Sequence, residues 1–181
     1  TSSIEHHSLL NSCRALECKG VDVTYLPVDR NGRVSLDSVK AAIRPDTQLV
    51  SIMLANNEIG TIEPIPEIGQ YLRKQGILFH SDAVQAVGHI PVDVQELCVD
   101  FLTASAHKFY GAKGTGILYK RSGIPLSSLI FGGSQERGLR AGTENIAGIV
   151  AAGYALKESI ADITAMTDKL TSFVQTTTDG I

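Results

Sequence analysis

Cysteine is scarce in this sequence: three among 181 residues (Cys13, Cys18 and Cys98), with no C-x-x-C pair. That excludes a disulfide framework and weighs against zinc and thioredoxin-like sites, so no metal is expected and a reduced, cytoplasmic setting fits. Excess charge is missing too. Sixteen Lys and Arg face nineteen Asp and Glu, a net charge of -3, whereas a nucleic-acid-binding domain is usually clearly basic. No apolar run reaches the roughly 18 residues of a membrane helix. The longest, Ile146 to Leu156, is amphipathic and contains Gly148 and Gly153. No signal-peptide pattern, internal repeat, low-complexity tract or linker is seen. Neither nucleic acid nor membrane is therefore an expected partner. What is present suits one packed domain: 43% apolar and 19% charged residues. The chain opens at Thr1 directly into chemistry-rich sequence, and a fragment of a longer protein is the expectation.

Apolar spacing predicts the elements. Leu9, Cys13 and Leu16 recur at i, i+4, i+7 and imply a helix over about Glu5 to Glu17, with Cys13 in the core. Val21 to Val28 alternates like a strand, and Asp29-Arg30-Asn31-Gly32 is a turn signal. Ser35 is placed to cap a short helix carrying Leu36, Val39 and Ile43. Gln48 to Leu54 suits a buried parallel strand. Pro66 begins a helix with Ile68, Tyr71 and Leu72 on one face and Gly76 as its stop. Ile77 to His80, Asp100 to Ala104 and Gly116 to Lys120 read as further strands. Thr143 is expected to cap a long last helix with Ile146, Ile149, Val150, Gly153 and Leu156 on one face; Thr176 to Gly180 reads as a fraying end. Alternating strands and helices predict an α/β fold: a three-layer αβα sandwich around a mostly parallel sheet.

In such sheets chemistry gathers at the carboxyl ends of strands. Those ends carry Asn56-Asn57-Glu58, His80-Ser81-Asp82-Ala83-Val84-Gln85 and Ser105-Ala106-His107-Lys108. An Asp82–Lys108 ion pair would be the plain structural reading. The alternative is a nucleophilic lysine set among small and polar residues, deprotonated by burial and neighbouring charge. Pyridoxal phosphate needs such a lysine and an acid opposite its ring nitrogen. Asp82 is the candidate acid, and Gln85 lies close enough to reach the ring's phenolic oxygen. The glycine-rich turn Gly111 to Gly116 fits neither G-x-x-x-x-G-K-[ST] nor G-x-G-x-x-G, and reads as a tight turn into the next strand.

Five segments together form a pattern: Glu5-His6-His7; Asn56-Asn57-Glu58-Ile59-Gly60; His80 to Gln85; Ser105-Ala106-His107-Lys108-Phe109-Tyr110-Gly111; and Gly132 to Asn145, which contains Arg137-Gly138-Leu139-Arg140-Ala141-Gly142-Thr143. In this order, over nearly the whole chain, they resemble the cysteine desulfurases. These are pyridoxal-phosphate enzymes of the class V aminotransferase group and of fold type I, and the last segment looks like the iron–sulfur and nitrogen-fixation type.

The resemblance implies a large cofactor-binding domain over residues 1–181 and a role for each matching residue. Lys108 matches the Schiff-base lysine that also moves protons. Asp82 matches the partner of the pyridine nitrogen, and His6 the imidazole stacked on the ring, with Lys108 and His6 the catalytic pair. Asn57 and Gln85 match groups bonding the phenolic oxygen; Ser105 and His107 match phosphate ligands. Thr143 matches a phosphate ligand reaching the other subunit's site, which implies a homodimer; a threonine at a helix start suits that role. The implied reaction converts L-cysteine to L-alanine and passes sulfur, as an enzyme persulfide, toward an acceptor or scaffold protein for cluster assembly or thiolation.

Several residues stay outside this pattern. His7 reads as a solvated neighbour of His6, and His89 as surface. His80 either supports the site or is a packed structural histidine. Cys98 reads as core. Arg137 and Arg140 either bind anions or sit in a solvated loop. Ala112 stands where the family usually has proline. The resemblance also implies an upstream Gly/Thr-rich phosphate turn, a downstream persulfide cysteine and a downstream arginine for the substrate carboxylate. None of the three has a counterpart here, so the chain alone is expected to be inactive. A selenocysteine lyase or other class V member would share Lys108 and Asp82. A cofactor-free scaffold would be expected to have lost them.

Overall fold

Three short apolar segments, each ending in polar residues, line up side by side. The structure, a computed structural model, describes residues 1–179. Strands β1 (Leu49–Ser51), β2 (Leu78–Asp82), β3 (Phe101–Ser105) and β4 (Gly116–Lys120) form one sheet in that order. The first three run parallel and β4 returns antiparallel to β3. Helix α3 (Ile65–Gln75) makes the β1-to-β2 crossover. It starts with Pro66 inside its first turn and ends on Gly76 at φ 71°. That is the left-handed stop that glycine adopts without strain.

Alternation divides the sheet into two faces. Val50, Phe79, Leu102 and Ala104 are buried and pack with Ile65, Ile68 and Leu72 of α3. The opposite face of β2 and β3 carries His80, Asp82, Thr103 and Ser105, under the first turn of α1 (His7–Glu17). A mostly parallel sheet with helices on its two faces is the architecture expected. Helix α2 (Leu36–Ala42) is capped by Ser35, whose hydroxyl accepts from Ser38 N–H at 3.0 Å. Asp29 turns the preceding loop by accepting from the backbone N–H of Asn31 and of Arg33, both at 2.8 Å.

Six expectations are corrected. Val21–Val28 forms no strand: its backbone meets the Thr1–Ser3 segment through a single bridge, Ser2 to Leu26, and a cleft of about 530 Å³ separates it from β1. Alternation without a flanking ladder does not make a strand. The last helix is two, α4 (Ile146–Ala161) and α5 (Ile163–Asp179), broken at Asp162. Its cap is Asn145, which accepts from Gly148 N–H at 3.0 Å, and not Thr143. The residues α4 buries are Gly148 and Ala152, while Ile146 and Val150 are exposed; this helix lies against the turn after β3, and a Cβ at Gly148 would press on Thr115 Oγ1 and the Asn145 side chain. The segment expected to fray is helical through Asp179, where Thr176, Thr177 and Thr178 donate to carbonyls one turn back; Gly180 lies outside the described residues. Cys13 and Cys98 are half-buried and not core.

Gly69 in the middle of α3 illustrates which force wins. Helix propensity favours alanine there by about 0.5–1 kcal/mol. A Cβ at Gly69, however, would collide with the Leu97 carbonyl oxygen on the loop before β3. Overpacking of this kind costs about 1–3 kcal/mol. Gly69→Ala is expected to lower the urea midpoint. An unchanged or raised midpoint would mean that the loop yields freely.

Candidate active site

β2 ends in His80, Ser81 and Asp82, and the period of two sends Ser81 into the core and the other two out of it. Register places Asp82 beside Thr103 and His80 beside Ser51. A row of side chains then spans three strands. Ser51 Oγ lies 2.7 Å from His80 Nδ1, and His80 Nε2 lies 3.1 Å from Thr103 Oγ1. Burial lowers the His80 pKa, against the opposing pull of Asp82, and keeps the imidazole neutral. His80 packs between two strands, as the structural reading has it, and it also lines the cavity on this face.

A cavity of about 450 Å³ opens on this face, within the roughly 300–1,000 Å³ of small-molecule sites. His80, Asp82, Thr103 and Ser105 line it, with Ser8 and Leu9 of α1 above. One Asp82 oxygen accepts from Val84 N–H at 2.9 Å, and the carboxylate is half-buried. Ser105 stands at the head of a 3₁₀ turn, Ala106–Phe109, without making a capping bond, so its hydroxyl is not spent there.

Lys108 rides on that turn. Phe109, fully buried, anchors the turn from below. From behind, His89 donates Nε2–H to the Lys108 carbonyl at 2.8 Å, and Ser159 Oγ–H donates to the Phe109 carbonyl at 3.2 Å. A carbonyl only accepts, so His89 carries its proton on Nε2. Tyr110 closes the turn at φ 67°, with Gly111 N–H bonded to the Ala106 carbonyl at 2.8 Å. Among the described residues Lys108 has no carboxylate within 4.0 Å, so the Asp82–Lys108 ion pair is not formed. His89, expected at the surface, is half-buried and supports the turn.

Of the predicted cofactor-site residues only Asp82 and Ser105 line the cavity; Lys108, on the turn that follows Ser105, and the others do not. His6 is exposed and caps α1, its Nδ1 accepting from Ser8 N–H at 3.2 Å. Asn57, His107 and Thr143 are exposed and Gln85 is half-buried. Asn56, not Asn57, is the buried asparagine: it donates to the Ile4 carbonyl and accepts from Glu58 and Ile59 N–H. Arg137 has φ 59°, beside Glu136 at 47°, in an exposed turn. Sequence reasoning missed Thr103, Ser8 and His89. Thr103 shares a strand face with Ser105 and could have been found from that period; the other two depend on tertiary contacts.

The aminotransferase class-V family profile matches residues 1–181. Among curated relatives, cysteine desulfurase IscS of Dictyoglomus turgidum is 56% identical over 171 residues, covering 94% of this chain and 43% of its own. A putative cysteine desulfurase IscS 1 of Bacillus subtilis is 51% identical over 173 residues, covering 96% and 46%. Among solved structures, a NifS-like protein superposes with TM-score 0.89 at 42% identity, over 97% of this chain and 51% of that one. A structure of SspA in complex with cysteine gives 0.84 at 46% identity, over 86% and 46%. The chain thus spans less than half the length of the curated relatives it matches. With its profile matched end to end and half its residues shared with such relatives, the chain belongs to the class V aminotransferase family.

Proposed function

We propose that the protein carrying this chain is a pyridoxal-phosphate-dependent cysteine desulfurase, and that the face bearing Asp82 and Ser105 is its cofactor site. The observation that carries this reading is the convergence of Asp82, Thr103 and Ser105 at the ends of two adjacent parallel strands, with the Lys108 turn following directly. The residues fit the cofactor on the cavity's size, on a carboxylate with one oxygen left unbonded, and on a serine hydroxyl without a capping bond. The curated relatives named cysteine desulfurase support the substrate class.

Pyridoxal phosphate, when bound, supplies an electron sink for negative charge beside the substrate amine. The chain's own residues do the rest. Asp82 offers a fixed negative charge to the protonated ring nitrogen. Lys108 holds the cofactor and then moves a proton at the substrate's α-carbon. His6 would supply an imidazole at the head of α1, and Asn57 and Gln85, which stand outside the cavity lining, would bond the phenolic oxygen of the bound cofactor. Ser105 on the cavity wall and the exposed His107 would take phosphate oxygens. Overall, the C–S bond of L-cysteine breaks, an acceptor thiol becomes a persulfide, and L-alanine leaves. None of Cys13, Cys18 and Cys98 lines the cavity, and burial raises the Cys13 thiol pKa away from the thiolate. The reading puts the acceptor thiol outside these three cysteines, and a reduced cytoplasmic setting is proposed with it. Cluster assembly or thiolation is the pathway proposed. A homodimer in which Thr143 serves the partner's site is supported by its exposed loop. The apolar residues flanking that loop, Leu129 at 91% and Phe131 at 86% exposure, also ask for a cover.

Three outcomes test this. Pyridoxal phosphate added to the full-length protein should give a visible absorption band that borohydride fixes on the Lys108 peptide. Lys108→Ala should lose the band, and a label elsewhere would refute the site. Mixing Lys108→Ala with Thr143→Ala subunits should restore about a quarter of wild-type activity if Thr143 acts across the dimer, since half the dimers are mixed and one site in each is intact. No recovery would place Thr143 within its own subunit. The 181-residue chain alone should release no alanine from L-cysteine; release would mean that the acceptor lies within it.

A further inference from the structure

Glu5 is a buried carboxyl that the reaction above does not use. It is 4% exposed and does not line the cavity. Its Oε1 accepts from Ser2 Oγ–H at 2.6 Å and from Met53 N–H at 2.9 Å; its Oε2 is fully buried without a partner. The ladder explains the Met53 contact. Ile52 and Leu54 continue the β1 pairing by donating to the His80 and Asp82 carbonyls, which turns the intervening Met53 N–H to the other side. Glu5 meets it there. The next residue is His6, whose ring nitrogen starts the helix that places Ser8 and Leu9 over Asp82.

We propose that Glu5 is a positioning residue of the cofactor site: its carboxyl pins the Ser2–His6 segment to the end of β1 and so sets where His6 and the first turn of α1 stand above Asp82. This rests on the cofactor reading given above. The charge of the pin changes with pH. Burial, first of all, pushes the Glu5 pKa up to about 7; the Ser2 and Met53 bonds lower it, Asp82 at the end of β2 raises it, and the Thr1 amine lowers it. Cys13 faces it from α1, its own thiol raised in part by Glu5. Glu5 thus takes up a proton on folding, and what the neutral form contributes to stability is complete below about pH 4.5 and is lost as pH rises through about 7.

The test compares wild type, Glu5→Gln and Glu5→Ala in the full-length protein. Glutamine keeps an acceptor for Met53 and cannot ionise. In the apoprotein, the loss of thermal stability between pH 5 and pH 8 should be smaller in Glu5→Gln than in wild type by the share that Glu5 contributes; an identical profile overturns the proposal. In the holoprotein, Glu5→Ala should weaken pyridoxal phosphate binding about tenfold, with Glu5→Gln within about threefold of wild type. Equal binding by all three, or a Gln variant as weak as Ala, overturns it. The visible band of wild type should carry a pH step near 7 that is absent in Glu5→Gln; its persistence there overturns the proposal, even if Glu5→Ala does not fold. If wild type gives no visible band at all, the cofactor reading has failed, while the apoprotein arm still judges Glu5.

Discussion

Everything at the site hangs on the parallel register of β2 and β3. Asp82 sits beside Thr103 and Ser81 beside Leu102, so one face is core and the other is cavity along both strands. A slip of one residue would send Asp82 inward and expose Leu102, which burial forbids. Asp100 guards this alignment at the opposite end. Buried, it accepts from Phe79 N–H at 2.8 Å and from Arg121 Nε–H at 2.6 Å, tying β2, the start of β3 and the end of β4 together. Only the carboxylate is buried, since the Arg121 side chain is 44% exposed; removing the arginine leaves the Phe79 N–H as the remaining donor to Asp100.

Lys108 is held by a different device. The turn carrying it is short, and its carbonyls are taken from behind by His89 and Ser159. Space for that support comes from small residues. Gly88 has φ 83°, and a side chain there would press on Phe109 Cβ at 2.6 Å; Gly148 and Ala152 are the only residues α4 buries. The lysine amine faces no fixed carboxylate among the described residues, which suits the exchange of partners proposed for it.

The polar economy of the cavity is asymmetric. His80 is neutral and bonded on two sides, and Asp82 is bonded at one oxygen. Glu5 stands behind them with an oxygen that no donor reaches. A buried carboxyl is tolerated there because it can hold a proton, which removes most of the cost of burying its charge.

The local sequence alone determined the elements whose signals are local. Ser35 caps α2, Gly76 stops α3, and β4 spans the same residues that its pattern predicts. The ordered motifs carried the resemblance to the family, and the class-V profile matches the chain end to end. Tertiary structure decided what depends on a neighbour. Val21–Val28 alternates like a strand but pairs along no ladder, and Ile146 and Val150 look like a core face while the residues α4 buries are Gly148 and Ala152. Likewise Asp82 and Ser105 meet Thr103 and Ser8 in one cavity, whereas Lys108, Gln85, His6, Asn57, His107 and Thr143, equally prominent in the motifs, lie outside its lining. Spacing along a chain specifies the face of an element; only packing specifies what that face meets.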